Sequence, residues 1–172
     1  MASLMEELII TLEAEEQEYQ RLLNLSLRKT PVIISGDLEA LASITNEEQL
    51  ALTSLSHVDK KREVCMTDIA NVVNKDVNTI KLSDLIAMLA ARPQEQNRLA
   101  AVYDKLSEVV AQVKRSNEQN KQLIESSLEL VQFDLNVIQA MKAAPETANY
   151  TRNAYASGDV MGVERRGFDS KS

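Results

Sequence analysis

QEQNRLAAVYDKLSEVVAQVKRSNEQNKQLIESSLELVQFDLNVIQAMKAA, residues 94–144, contains no Gly and no Pro. A helix of that length would run ~75 Å at 1.5 Å per residue, well past the width of a small core. It must therefore lie along other long helices or along a partner. Its apolar residues recur by sevens. One series is Leu99, Leu106, Val113, Asn120, Ser127, Asp134, Met141. A second is Val102, Val109, Ser116, Leu123, Leu130, Val137, and a third is Tyr103, Val110, Asn117, Ile124, Val131, Ile138. The first series weakens between Asn117 and Asp134, and the other two take over, as a period of ~3.6 does when it drifts against a heptad. Asn117 and Asn120 interrupt the seam at its middle. At core positions of a coiled coil, Asn lowers stability and fixes register or partner. The other reading is a local rotation that turns both side chains to water.

Outward from this stretch, three prolines punctuate the chain: Pro31, Pro93 and Pro145. Pro93 opens the long helix as a favoured first-turn residue. The spacing of Leu4, Leu8, Leu12, Tyr19, Leu22 and Leu23 predicts a first helix over roughly 3–28. Its first twenty residues hold six Glu, and Arg21, Arg28 and Lys29 close it, an order that suits the helix dipole. Residues 30–36 read either as a kinked extra turn ended by Gly36 or as a loop. Asp37 is a good N-cap for a second helix over roughly 37–73, with Leu38, Leu41, Ile44, Leu52, Leu55, Met66, Ile69 and Val73 as its stripe. A short third helix follows, with Ser83 as expected cap and Asp84 in its first turn. Residues 145–172 mix Asn, Tyr, Ala, Ser, Gly and Arg without a period and read as a flexible C-terminal tail.

Composition agrees. The 172 residues suffice for one domain, aromatics are only 3%, and three of the four Gly lie in the last fifteen residues. A chain so poor in turn formers is built of long helices. The net charge is −7, and the neutral tail leaves all of it on the body. No basic stripe is present, which argues against nucleic acid or an anionic membrane surface as partner. The opening carries Glu6 and Glu7 where a signal peptide needs basic and apolar residues, and no apolar stretch approaches a membrane span. The expected location is cytoplasmic, without membrane insertion.

Enzyme chemistry finds no support. His57 is the only histidine, so a bundle di-metal site cannot be assembled. It reads as a solvated helix position. Cys65, alone beside Met66, reads as buried filler rather than a nucleophile, and no phosphate-cradling loop exists because no Gly falls between 37 and 157. We expect no enzyme, no metal and no cofactor. The Glu residues of the first helix read mainly as a solvated face. Tyr150, Tyr155 and Phe168 place half of the aromatics in the tail, where aromatic anchors commonly serve short-motif binding.

Several stretches together resemble the FlgN family of flagellar type III export chaperones over roughly residues 1–142. They are the Leu-rich acidic opening, Ile33-Ile34-Ser35-Gly36-Asp37-Leu38-Glu39-Ala40-Leu41, Leu82-Ser83-Asp84-Leu85-Ile86, and Asn117-Glu118-Gln119-Asn120-Lys121-Gln122-Leu123-Ile124-Glu125-Ser126-Ser127-Leu128. The Asn-x-x-Asn-x-x-Leu-Ile run is the most specific piece. The resemblance implies a chaperone that masks the helical terminal segments of hook–filament junction proteins, prevents their premature assembly and delivers them to the export gate. The expected client surface is Asn117, Asn120, Leu123, Ile124, Ser127, Leu130 and Val131, and the expected contact to the flagellar export apparatus is Tyr150 or Tyr155. A structural coiled-coil adaptor without a chaperone cycle is the alternative. The expected fold is all-α: an elongated antiparallel helical bundle or coiled coil of three long helices plus one short one, with left-handed twist, over 1–144, followed by the tail 145–172. The expected state is monomer or homodimer. Asn120→Leu is expected to raise stability.

Overall fold

A computed structural model describes residues 2–143, with side chains from Leu4. The described residues form α1 (Ala2–Ser35), α2 (Leu38–Val72), α3 (Leu82–Met88), a 3-10 turn (Leu89–Ala91) and α4 (Pro93–Ala143). The fold is all-α, with no strand among these residues. The chain divides into two compact units, Met1–Ser127 and Leu128–Ser172. Tyr150 and Tyr155 lie outside the described residues.

Within Met1–Ser127, α1 and α2 form a hairpin. Cross-helix pairs run in opposite directions along the two: Thr11 with Cys65, Glu15 with Arg62, Glu18 with Ser54, Arg28 with Glu47. The pairs between α1 and α4 follow another rule. Glu6 meets Arg98, Ser26 meets Ser116, and Thr30 meets Asn120, at separations of 92, 90 and 90 residues. A near-constant offset means that α1 and α4 run parallel and in register. The α4 seam is buried at Leu99, Val102, Leu106, Val109, Val113, Ser116 and Asn120, steps of three and four throughout. It meets Met5, Leu8, Ile9, Leu12, Leu22 and Leu25 of α1 and Ile44, Ala51, Cys65, Ile69 and Ala70 of α2 in one core. The third heptad series flanks this seam, with Tyr103 and Asn117 exposed.

Two boundaries correct the sequence reading. The first helix does not stop near residue 28 but passes through Pro31 to Ser35. A proline inside a helix removes one backbone bond and presses on the carbonyl four residues back. Burial of Ile33, two residues further on, helps to offset that penalty. The helix then ends in a Schellman motif: Gly36 N–H donates to Ile33 O (3.2 Å), and Asp37 N–H to Val32 O (3.3 Å). Asp37 then caps α2 as expected, its Oδ1 accepting from Ala40 N–H at 3.0 Å. Asn74, with φ +53, closes α2 by the same pattern, Lys75 N–H reaching Ala70 O. The second correction concerns α3, whose cap position is Lys81, not Ser83. Asp84 Oδ2 reaches back to accept the Lys81 N–H at 2.9 Å, so the helix starts earlier.

Gly36 sits at φ +69 with open space where a Cβ would point. Gly36→Ala is therefore a pure backbone-strain experiment. We expect a loss of ~1 kcal/mol, and a Tm lowered by about 2–4 °C. A Tm equal to or above the parent's would show that the turn does not hold this residue left-handed.

Candidate functional site

The buried seam of α4 ends in a polar knot. Ser26 Oγ lies 2.7 Å from Ser116 Oγ and 2.9 Å from Asn117 Oδ1. Asn120 Nδ2 lies 2.8 Å from Ser26 O and 3.1 Å from Ser26 Oγ, and Thr30 Oγ1 donates to Asn120 Oδ1 at 2.6 Å. Proton counting assigns every partner. Asn117 Oδ1 can only accept, so Ser26 gives it its one hydroxyl proton, and Ser116 must donate to Ser26. The two Asn120 amide protons go to the two Ser26 oxygens. Asn120 is 3% exposed and fully satisfied. The Asn120 side chain is turned inward onto α1, and with these bonds made Asn120→Leu no longer has a stabilising expectation.

The other expected client residues differ from Asn120. Leu123 is half-buried, Ile124 is exposed at the rim, and Ser127 is exposed with its hydroxyl folded back onto Leu123 O. In the second unit, Leu130 and Val131 are exposed, 61% and 54%. Leu128, Phe133, Leu135, Val137, Ile138 and Met141 are exposed as well. At 100° per residue these side chains form two stripes, Leu128-Val131-Leu135-Ile138 and Leu130-Phe133-Val137-Met141, which together cover about half the circumference. Sequence reasoning missed Leu128, Leu135 and Phe133. A fourth sevenfold series, Lys121, Leu128, Leu135, carries the first two.

Back in the first unit, a groove runs between α2 and α4 over a floor of α1. Tyr19, Leu52 and Leu55 line two of its consecutive sections, and Leu82 of α3 and Tyr103 continue it at one end. Its middle section, about 620 Å³, holds Glu15 and Arg62. Glu15 is only 3% exposed, because it occupies the inward slot between Leu12 and Tyr19. It is no part of a solvated acidic face; the spacing from Leu8 and Tyr19 (seven and four) was the signal for that. Its Oε1 lies 3.3 Å from Arg62 Nη1, and Arg62 also holds Asp59. Its Oε2 has no hydrogen-bond partner.

Burial pushes the Glu15 carboxyl above the usual range; Arg62 opposes that rise and Asp59 adds to it. Burial, and then the nearby Glu15, likewise raise the Tyr19 phenol. Arg62 and Asp59 of α2 and Tyr19 of α1 are the groups around Glu15, while α4 adds Tyr103 and Ser107 and no charge. A raised acid pKa means that the folded state holds its proton more tightly than the unfolded chain. The associated stability is present below the ordinary value of 4.5 and is lost as pH rises through the folded value. Glu15→Gln cannot ionise and leaves Arg62 its Asp59 partner. We expect it to raise Tm at pH 7 and to lose that advantage as pH falls below the ordinary value. A lower Tm at pH 7 would show that the Arg62 attraction outweighs burial.

His57 is exposed and Cys65 is buried against Thr11, Sγ to Oγ1 4.0 Å. Among the described residues no cluster of His, Cys, Asp and Glu could hold a metal, and no helix is long and apolar enough to cross a membrane.

An exposed apolar helix face is surface of the kind that takes up an amphipathic helix. The family is specific. The chain matches the family described as "FlgN protein" over residues 1–158 and belongs to it, the flagellar export chaperone family. It is also similar to "Uncharacterized protein YvyG" of Bacillus subtilis (strain 168), 25% identical over 155 residues and 90% of each chain. No solved structure matches.

Proposed function

We propose that this chain is a cytoplasmic export chaperone for hook–filament junction proteins, and that the apolar strip of α4 from Leu123 to Met141 masks a helical terminal segment of the client. Membership of the FlgN family supports the chaperone role. The observation that carries the surface is the exposure of Leu128, Leu130, Val131, Phe133 and Met141, each above half. Exposed apolar surface of that extent marks an interaction site. The width of the strip suits a client that packs against more than one side of the helix. Masking keeps the client segment from assembling before export, and the net charge of −7 discourages self-association of the chaperone. Asn117 and Asn120 mark the place where the internal seam gives way to the client-facing strip. Tyr150 or Tyr155 supplies the second contact, to the export gate.

Co-purification tests this reading. The chain should retain a junction protein's terminal fragment at near 1:1 stoichiometry, and not a fragment from which that terminal helix is deleted. Replacing Tyr150 and Tyr155 by Ala should leave that complex intact while export of the client falls. A chain that retains no junction-protein fragment would instead support the adaptor alternative.

A further inference from the structure

The groove between α2 and α4 contains something that a purely apolar helix track does not require. Glu15 is built into its floor, buried, with one carboxylate oxygen lacking a donor. Arg62 is divided between Glu15 and Asp59, so these three groups leave one net negative charge at mid-groove. A buried acceptor without a partner is costly, and that cost is recovered when a donor arrives. The flanks of Glu15 are apolar: Leu52 and Leu55 on α2, Tyr103 and Val110 on α4. From Tyr103 the groove continues to Ile124, ~30 Å of α4 and room for about six turns of a second helix. A small ligand of ordinary pocket size would fill only one section of such a track. A rod with an apolar face and one cation near its middle fits all of it.

We propose that this groove receives an amphipathic helix of the exported client, whose Lys or Arg, set among its apolar residues, closes on Glu15 Oε2. The inference rests on the chaperone reading and adds a second contact to the α4 strip, one that selects by charge. The apolar flanks supply adhesion. The buried pair fixes the register of the bound helix and rejects segments that offer no cation at that position. A second copy of this chain is a poor occupant, because two molecules of net charge −7 repel.

The probe is a labelled terminal segment of a hook–filament junction protein, titrated into the full chain and followed by anisotropy. Glu15→Gln should weaken binding about tenfold, the loss of one charged hydrogen bond. Against a segment whose basic residue on the apolar face is changed to Met, Glu15→Gln should cause no further loss. Leu52→Asp, on the exposed rim, should weaken binding at least as much with Tm unchanged. Wild-type binding by both groove variants, alongside failure of the Leu130→Asp chain, overturns the groove and leaves the proposed function standing. Loss in the groove variants with wild-type binding by Leu130→Asp supports the groove and removes the strip. Binding equal in all four chains overturns both surfaces, and no binding by the wild-type chain overturns the chaperone reading with them. Self-association that Leu52→Asp abolishes would seat a second copy in the groove and overturn the proposal.

Discussion

Leu130→Asp combined with Val131→Asp is expected to reduce affinity for a junction-protein terminal segment by at least a hundredfold. Both side chains are more than half exposed in the free protein, so the substitutions remove nothing from its core. Far-UV circular dichroism and Tm should stay within error of the parent. In the proposed complex the same positions are covered. Each substitution then forfeits ~1.5–3 kcal/mol of apolar burial and places a carboxylate against an apolar helix face, which adds a desolvation penalty. Two such losses amount to ~3–6 kcal/mol, and every 1.4 kcal/mol is a factor of about ten in Kd. A complex that survives both substitutions with helicity intact would move the client site away from this part of α4.

Asn120→Leu is expected to destabilise the protein by about 2 kcal/mol, lowering Tm by ~4–8 °C. Leu brings apolar bulk to a seam position, which alone would stabilise. It also removes three hydrogen bonds in a buried place and strips a donor from Ser26 Oγ and an acceptor from Thr30. A buried group left unpaired costs ~1–3 kcal/mol, so the hydrogen-bond loss wins over the gain in burial. The knot also makes the effect non-additive. Combined with Ser26→Ala, which removes the stranded hydroxyl, Asn120→Leu should cost less than the two single changes together. Strict additivity in that cycle, or a rise in Tm for Asn120→Leu alone, would show that the knot is not a unit.

Much of the fold was legible because periodicity and capping agreed. The heptad of Leu99, Leu106 and Val113 marks the buried edge of α4, Pro93 opens it, and Asp37 caps α2. Each of these signals acts within a few residues of chain. What was not legible depends on distant partners. The span of α1 past Pro31 rests on the burial of Ile33. The inward Glu15 needs Arg62, 47 positions away in sequence, and the satisfied state of Asn120 needs Ser26 and Thr30 on another helix. The seam break at Asn120 was visible, but its chemistry was not, since a polar side chain at a core slot reads alike whether paired or bare. Of the strip, Leu130 and Val131 lay on series already in view. Phe133 lay on none of them, and a seam drawn as one line undercounts a face that wide.

The near-constant offset between α1 and α4, 90 at Ser26 and Thr30, gives the Gly36 turn a role in measuring length. Counted by that offset, Ser35, the last residue of α1, stands level with Glu125. The place of one glycine thus sets how far along α4, within the first unit, the cover that α1 provides can reach.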